Sequence, residues 1–226
     1  MTVRRVWLFD LDDTLHDAAS ASMPGIHLAM GEYIQTHLGL THEESNALRR
    51  RYWLRYGATL LGLIRHHGVD ADHFLHQTHQ LPGLEAAVRG HRHDLVALRR
   101  LPGRKVLLTN APAAYAQRVL LTLGLQSLFE RVITIEQMRM FGELRPKPDA
   151  RMLRWIAARL GVLPRHCVLV EDTLVHLKSA RAVGMGTVWM TRWLAGRNAA
   201  AAALRRHRRP VYVDRPVRRL AQLLRG

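Results

Sequence analysis

The chain has 226 residues, is 48% hydrophobic and carries a formal net charge of +16, which is enough apolar chain to bury a sizeable core as one α/β domain or as a core with a smaller insert. No apolar run approaches the ~18 residues of a membrane span, acids cut short the signal-like start MTVRRVWLFD, and the single cysteine, Cys167, excludes an internal disulfide. The composition therefore predicts a soluble, cytoplasmic protein with Cys167 as a small buried thiol inside the run CVLV; a monomer or homodimer is expected, without a feature that chooses between them.

RRVWLF, residues 4–9, reads as a short buried strand that delivers Asp10 at its C-terminal end. From about residue 18 to 100 the pattern is helical, as in IHLAMGEYIQTHLGL, HEESNALRRRYWLRYGATLLGLIRHHG and GHRHDLVALRRLPG, with Gly39, Gly68 and Pro82-Gly83 as punctuation. After Gly103 the rhythm changes: KVLLTN is a strand, AAYAQRVLLTLGL a helix closed by Gly124, and RVITIEQ another strand. PDARMLRWIAARLGV is an amphipathic helix with Met152, Ile156 and Leu160 spaced four apart. HCVLVED is a strand ending in acids, LVHLKSARAVG a helix, GTVWMT a strand, and VYVD at 211–214 a last edge strand. The AAAAA run at 199–203 with LRRHRR after it reads as helix or surface segment. Apolar runs alternating with helices predict βαβ units and a parallel sheet. Residues 18–95 interrupt that rhythm and read as a helical cap inserted into an α/β core formed by 1–17 and 96–226.

The basic charge is nearly all arginine, since only Lys105, Lys147 and Lys178 are lysine. The arginines are scattered, and the runs at 49–51 and 205–209 lack interleaved aromatics, so no specific nucleic-acid partner is expected. A general pull on phosphorylated small molecules is.

Three apolar strands end in reactive groups: Asp10-Leu11-Asp12, Thr109-Asn110 and Glu171-Asp172. In an open parallel sheet the strand C-termini share one edge, so groups distant in sequence meet in one crevice. Asp10, Asp12 and Asp172 together would repel and raise one another's pKa. A hard divalent cation resolves that conflict, and Mg²⁺ is held by one or two carboxylates plus water and substrate phosphate. Thr109 and Asn110 can donate to phosphoryl oxygens, and Lys147, aimed by its flanking prolines in RPKPD, supplies positive charge. A carboxylate nucleophile, a metal, a cation and donors are the parts of phosphoryl transfer.

DxDxT, TN, KP and ED, in this order at strand ends, resemble the haloacid dehalogenase superfamily of hydrolases over essentially the whole chain. YGATLLGLI, LPGRKVLLTNA, YAQRVLLTLGL and RPKP are similar to its pyrimidine 5′-nucleotidase branch. The resemblance implies a Rossmann-like parallel sheet of order 5-4-1-2-3 with a cap that closes over the site and selects substrate. It implies that Asp10 attacks phosphorus to form an aspartyl-phosphate, and that Asp12 protonates the leaving oxygen and then activates water. Mg²⁺ would bind the Asp10 carboxylate, the Asp12 backbone carbonyl and the Asp172 carboxylate, with Glu171 supporting that shell indirectly. Thr109 and Lys147 would hold the phosphoryl group, and Asn110 would assist. The superfamily's dehalogenases lack an acid equivalent to Asp12, so its presence favours a phosphatase. DTLVHLKSA departs from the common DS-x-x-N form, and no contact is carried over there.

Plainer readings stand beside these. As a calcium loop, residues 10–21 would need Gly at Leu15 and Glu at Ala21. Asp13 and Asp17 read as caps of the following helix. Thr109-Asn110, Lys147 and Glu171-Asp172 would each alone be a turn, a solvated lysine and a helix N-terminus; their occurrence as a set reverses that. His66, His67, His73, His76 and His79 read as cap surface, and His16 is placed to face substrate. The expected reaction is Mg²⁺-dependent hydrolysis of a pyrimidine nucleoside 5′-monophosphate. The alternatives are a phosphatase for phosphoglycolate or another small metabolite, a phosphomutase, and a non-catalytic basic nucleic-acid-binding protein.

Overall fold

The structure, a computed structural model, describes residues 5–196 and 209–225. The alanine run at 199–203 and the arginines up to 208 lie outside these residues. The chain divides into two compact units, one made of Met1–Ala19 with Val88–Gly226 and the other of Ser20–Ala87. The second boundary falls at Val88, so residues 88–95, read from the sequence as cap, belong to the first unit.

The first unit is built on β1 (Val6–Phe9), β2 (Arg104–Leu108), β3 (Arg131–Ile133), a small hairpin of β4 (Arg139–Met140) and β5 (Glu143–Leu144), then β6 (Cys167–Glu171), β7 (Gly186–Met190) and β8 (Arg215–Val217). The main sheet has the order β3-β2-β1-β6-β7-β8, and every pairing in it is parallel. From the β7 side inward this is the expected 5-4-1-2-3, with β8 added outside the fifth strand. β1 lies centrally, and all four of its residues are buried. Strands covered on both faces read as continuous apolar runs, which is why VWLF, VLL and CVLV were visible in the sequence.

Helices pack on this sheet through the expected stripes. Met152 and Ile156 of the helix Ala150–Arg159 join Val6, Leu8, Val106 and Leu169 in one core cluster. Burying each such side chain contributes roughly 1.5–3 kcal/mol. Asp149 caps that helix by accepting from the backbone N–H groups of Arg151 and Met152 at 2.8 and 3.3 Å. Cys167 is fully buried in the same cluster, and burial pushes its thiol up to about 11.

The edge strand differs from the sequence reading. VYVD is not a strand: the Tyr212 carbonyl accepts from Thr187 Oγ1 at 2.7 Å, and Asp214 Oδ2 accepts from the Thr187 backbone N–H at 2.9 Å. These bonds fold residues 211–214 into a turn against β7, and pairing begins only at Arg215. The hairpin before Lys147 was not read from the sequence either. Phe141 and Gly142 both take positive φ, 52° and 80°, as a tight two-residue hairpin loop requires. The Met138 carbonyl then accepts from Arg145 N–H at 2.7 Å, so the hairpin fixes the start of RPKP.

The second unit is helical: Met23–Leu38, His42–Tyr56, Thr59–His67, Ala71–Thr78 and Leu84–Ala87. A capping box between Thr41 and Glu44 starts the second of these. HEESNALRRRYWLRYGATLLGLIRHHG, read as one helical stretch, is broken at Gly57, which takes φ 78° and donates to the Trp53 carbonyl. The two halves turn back on each other at Gly62, where a Cβ would lie 2.2 Å from the Tyr52 ring. No helix among the described residues is long and apolar enough to cross a membrane. Gly62→Ala must force these helices apart and is expected to cost about 1–3 kcal/mol. A urea titration of the variant reads this, and an unchanged midpoint would contradict the packing.

Candidate active site

Phe9 pairs level with Leu107 on one side and Val170 on the other. The polar residues that follow each strand therefore emerge together at one sheet edge. The Asp10 backbone N–H still donates to Val170 O at 3.0 Å, which places Asp10 on the rigid end of the ladder. The chain then turns sharply: Asp13 takes φ 54°, and the N–H groups of Thr14 and Leu15 both donate to the Leu11 carbonyl. Asp13 Oδ1 accepts from Ala19 N–H at 3.0 Å and so serves the short helix that follows.

Lys147 joins the two acidic strand ends. Its side chain is 1% exposed, and its Nζ donates to Asp10 Oδ1 at 2.6 Å and to Glu171 Oε2 at 2.7 Å. Both ends of the Asn110 amide bond the Lys147 backbone. Its Nδ2 donates to Lys147 O at 2.9 Å, and its Oδ1 accepts from Lys147 N–H at 3.0 Å. It clamps the backbone of the lysine, a contact that the sequence did not announce. Thr109, at the end of β2, is buried, and its hydroxyl oxygen accepts from Ala111 N–H at 3.0 Å, an orientation that leaves the O–H able to donate.

Glu171 is more central than its expected supporting place. Its Oε1 accepts from Thr173 N–H at 3.1 Å, and His176 Nδ1 lies 3.0 Å from Oε2. Asp10, Glu171 and Asp172 each present a carboxylate oxygen, all within 4.8 Å of one another. The Asp12 carboxylate stands outside this group. Its Oδ1 accepts from Tyr115 O–H at 2.7 Å and lies 2.9 Å from His16 Nε2. Of the residues expected around a metal, Asp10 and Asp172 therefore bring their side chains together and Asp12 turns its own elsewhere. That leaves the Asp12 backbone carbonyl as the group to consider.

The electrostatics follow from burial. Desolvation, with the neighbouring Glu171 charge, pushes the Asp10 carboxyl up to about 7 despite the adjacent ammonium. Burial, with Glu171 and Asp10, also raises Asp172 well above the ordinary carboxylate range. Burial works against charge at Glu171 too, but Lys147 and His176 outweigh it and hold that carboxylate down. At Lys147 burial opposes the charged form, and Asp10 and Glu171 more than reverse this, so the ammonium stays protonated. Glu171 is thus satisfied within the protein, while Asp10 and Asp172 are pushed toward their neutral forms and need further positive charge to stay ionised. An all-oxygen donor set with that imbalance fits a hard divalent cation.

Thr14, Tyr115 and His176 joined the site without having been assigned a role in it, and His16, expected to face substrate, directs its Nε2 at Asp12. Thr14 Oγ1 lies 3.3 Å from Asp10 Oδ2 and lies within the DxDxT motif. Tyr115 had no sequence signal beyond helical periodicity.

A model of the haloacid dehalogenase-like hydrolase family matches residues 5–184. The phosphoglycolate phosphatase of Colwellia psychrerythraea is 25% identical over 203 residues, which cover 83% of this chain and 84% of that protein. The fructose-1-phosphate phosphatase of Escherichia coli is 35% identical over 80 residues, 35% of this chain and 40% of that one. Among solved structures, a HAD phosphatase from Thermococcus onnurineus superposes with a TM-score of 0.60 at 24% identity, covering 97% of this chain and 95% of the other.

Replacing Lys147 by Met removes the cation and leaves buried carboxylates facing one another. With EDTA present, this is expected to cost about 3–5 kcal/mol of stability at pH 8. The loss should shrink at pH 5, because Asp10, with a folded-state value of about 7 against an ordinary 3.8, has taken up a proton there. Chemical denaturation at the two pH values measures this, and a loss independent of pH would contradict the arrangement.

Proposed function

Since the chain belongs to the haloacid dehalogenase-like hydrolases, we propose that it hydrolyses phosphate monoesters of small metabolites with Asp10 as nucleophile. The observation that carries this reading is the buried Lys147 ammonium bonded to both Asp10 and Glu171, beside Asp172. It provides a carboxylate on a rigid strand end, a fixed positive charge and room for a cation in one place.

In this reading a carboxylate oxygen of Asp10 attacks phosphorus in line and the ester P–O bond breaks. Asp12 gives its proton to the departing oxygen. Asp12 then takes a proton from water as that water attacks phosphorus, which releases inorganic phosphate and restores Asp10. Lys147 offsets the charge that accumulates on the phosphoryl oxygens, and the Thr109 hydroxyl donates to one of them. Asn110 acts earlier, by holding the Lys147 backbone in place. A divalent cation, Mg²⁺ by the chemistry of the donors, would be held by the Asp10 and Asp172 carboxylates with the Asp12 carbonyl and would supply further positive charge against phosphate.

The substrate class rests on the relatives, whose names specify phosphoglycolate and fructose 1-phosphate. They favour a small-metabolite ester over the pyrimidine nucleotide that the sequence resemblance implied. The nucleotidase reading stays second, supported by the segments YGATLLGLI and LPGRKVLLTNA.

A phosphate-release assay with Mg²⁺ on phosphoglycolate, fructose 1-phosphate, UMP and CMP tests both levels. One of the first two is expected to give the highest kcat/KM, and clear preference for UMP or CMP would replace the first reading by the second. Asp10→Asn is expected to lower kcat at least ~10³-fold, about 4 kcal/mol of barrier. Undiminished turnover in that variant, or no release from any ester, would overturn the proposal.

A further inference from the structure

Asp12 is held by contacts that neither the sequence motifs nor the metal-binding acids account for. Its Oδ1 accepts from Tyr115 O–H at 2.7 Å and lies 2.9 Å from His16 Nε2, and the hydroxyl and the ring nitrogen are themselves 3.4 Å apart. His16 is 0% and Tyr115 1% exposed, so the bonds are made in a setting where their geometry is not averaged by solvent. The Asp12 side chain is 18% exposed.

The supports come from separate parts of the first unit. Tyr115 lies in the first turn of the helix Ala113–Leu123, immediately after the strand end that carries Thr109. His16 is fixed by its backbone, which bridges to both Asp12 and Gly90, while the next residue, Asp17, donates its N–H to the Arg89 carbonyl at 3.1 Å. Among the described residues His16 Nδ1 is buried without a hydrogen-bond partner, which favours the tautomer carrying its proton on Nε2, toward Asp12. Tyr115 and His16 then both donate to a single carboxylate oxygen.

A carboxylate turns easily, because its terminal torsion is broad and two-fold. Two donors on Oδ1 stop that rotation and fill the lone pairs of that oxygen. We propose that Tyr115 and His16 are positioning residues that lock the Asp12 carboxylate so that Oδ2 alone carries the acid–base proton. The inference rests on the reading of Asp12 as the acid–base group. Neither residue touches the reacting atoms: the proton passes from Asp12 Oδ2 to the leaving oxygen and returns to Oδ2 from water.

The test compares a substrate that needs its leaving oxygen protonated with one that does not. Phosphoglycolate leaves as an alcohol and requires the proton, whereas 4-nitrophenyl phosphate leaves as a stabilised phenolate without one. The value of kcat/KM reports the steps up to ester cleavage, and general-acid catalysis is worth about 10²–10⁴-fold. Tyr115→Phe should lower kcat/KM for phosphoglycolate roughly tenfold or more, while the value for 4-nitrophenyl phosphate falls no more than about twofold. His16→Leu should give the same split, and His16→Gln, which restores a donor near the Nε2 position, should recover most of it. Inhibition by inorganic phosphate should be unchanged. Equal losses on both esters, or no loss on either, overturn the inference. If Tyr115→Phe does not fold, as judged by circular dichroism, the two His16 variants decide. The underlying reading has its own control. If the wild type cleaves both esters and Asp12→Asn shows the split while the Tyr115 and His16 variants do not, only the positioning role fails. If the wild type cleaves neither ester, the reading of Asp12 fails with it.

Discussion

The lysine ammonium shared by two buried carboxylates sets the terms for the rest of this molecule. Lys147 is among the largest fully buried side chains, and it sits between Asp10 and Glu171, which are buried as well. Taking such charges out of water costs several kcal/mol per ion unless the geometry is good and the remaining donors and acceptors are met. Here they are met unequally. Glu171 is held ionised by Lys147 and by the nearby His176, whereas burial pushes Asp10 and Asp172 toward their protonated forms. The protein thus holds a carboxylate oxygen ready beside a cation, in surroundings where opposite charges interact strongly.

That arrangement depends on a sheet in register. The level pairing of β1 with β2 and β6 brings Asp10, Thr109 and Glu171 to one edge, and the ladder bond from Asp10 N–H to Val170 O holds the nucleophile candidate on the stiffest part of the fold. Lys147 is different, since it comes from a loop. The β4–β5 hairpin sets where RPKP begins, and Asn110 then clamps the lysine backbone through both ends of its amide. A loop residue gains the precision of a strand residue by bonding to one.

The parts legible in the sequence are those whose signal is local. Buried parallel strands write themselves as continuous apolar runs, so VWLF, VLL and CVLV could be placed, and with them Asp10, Thr109 and Glu171-Asp172. The Met152–Ile156 stripe was readable for the same reason. What failed depended on partners elsewhere in the chain. VYVD alternates like a strand, but Thr187 draws Tyr212 and Asp214 into a turn. The clamp of the Asn110 amide on Lys147 had no local signal, because it depends on a residue 37 positions away. Tyr115 carries no motif at all, because its hydroxyl matters only through an acid 103 positions away. Gly57 ends a helix that hydrophobic periodicity alone carries onward. The nucleotide preference was read from short segments, and the relatives reported above are named for phosphoglycolate and fructose 1-phosphate.

Capture of a covalent phosphoenzyme tests the central claim most directly. Brief mixing of the protein and Mg²⁺ with a rapidly cleaved phosphate ester, followed by acid quench, digestion and mass analysis, should place one phosphoryl group on the peptide containing Asp10, labile to hydroxylamine as an acyl phosphate is. Phosphate release in which that peptide never carries the group at any mixing time, or in which the group sits on another residue, would contradict the account.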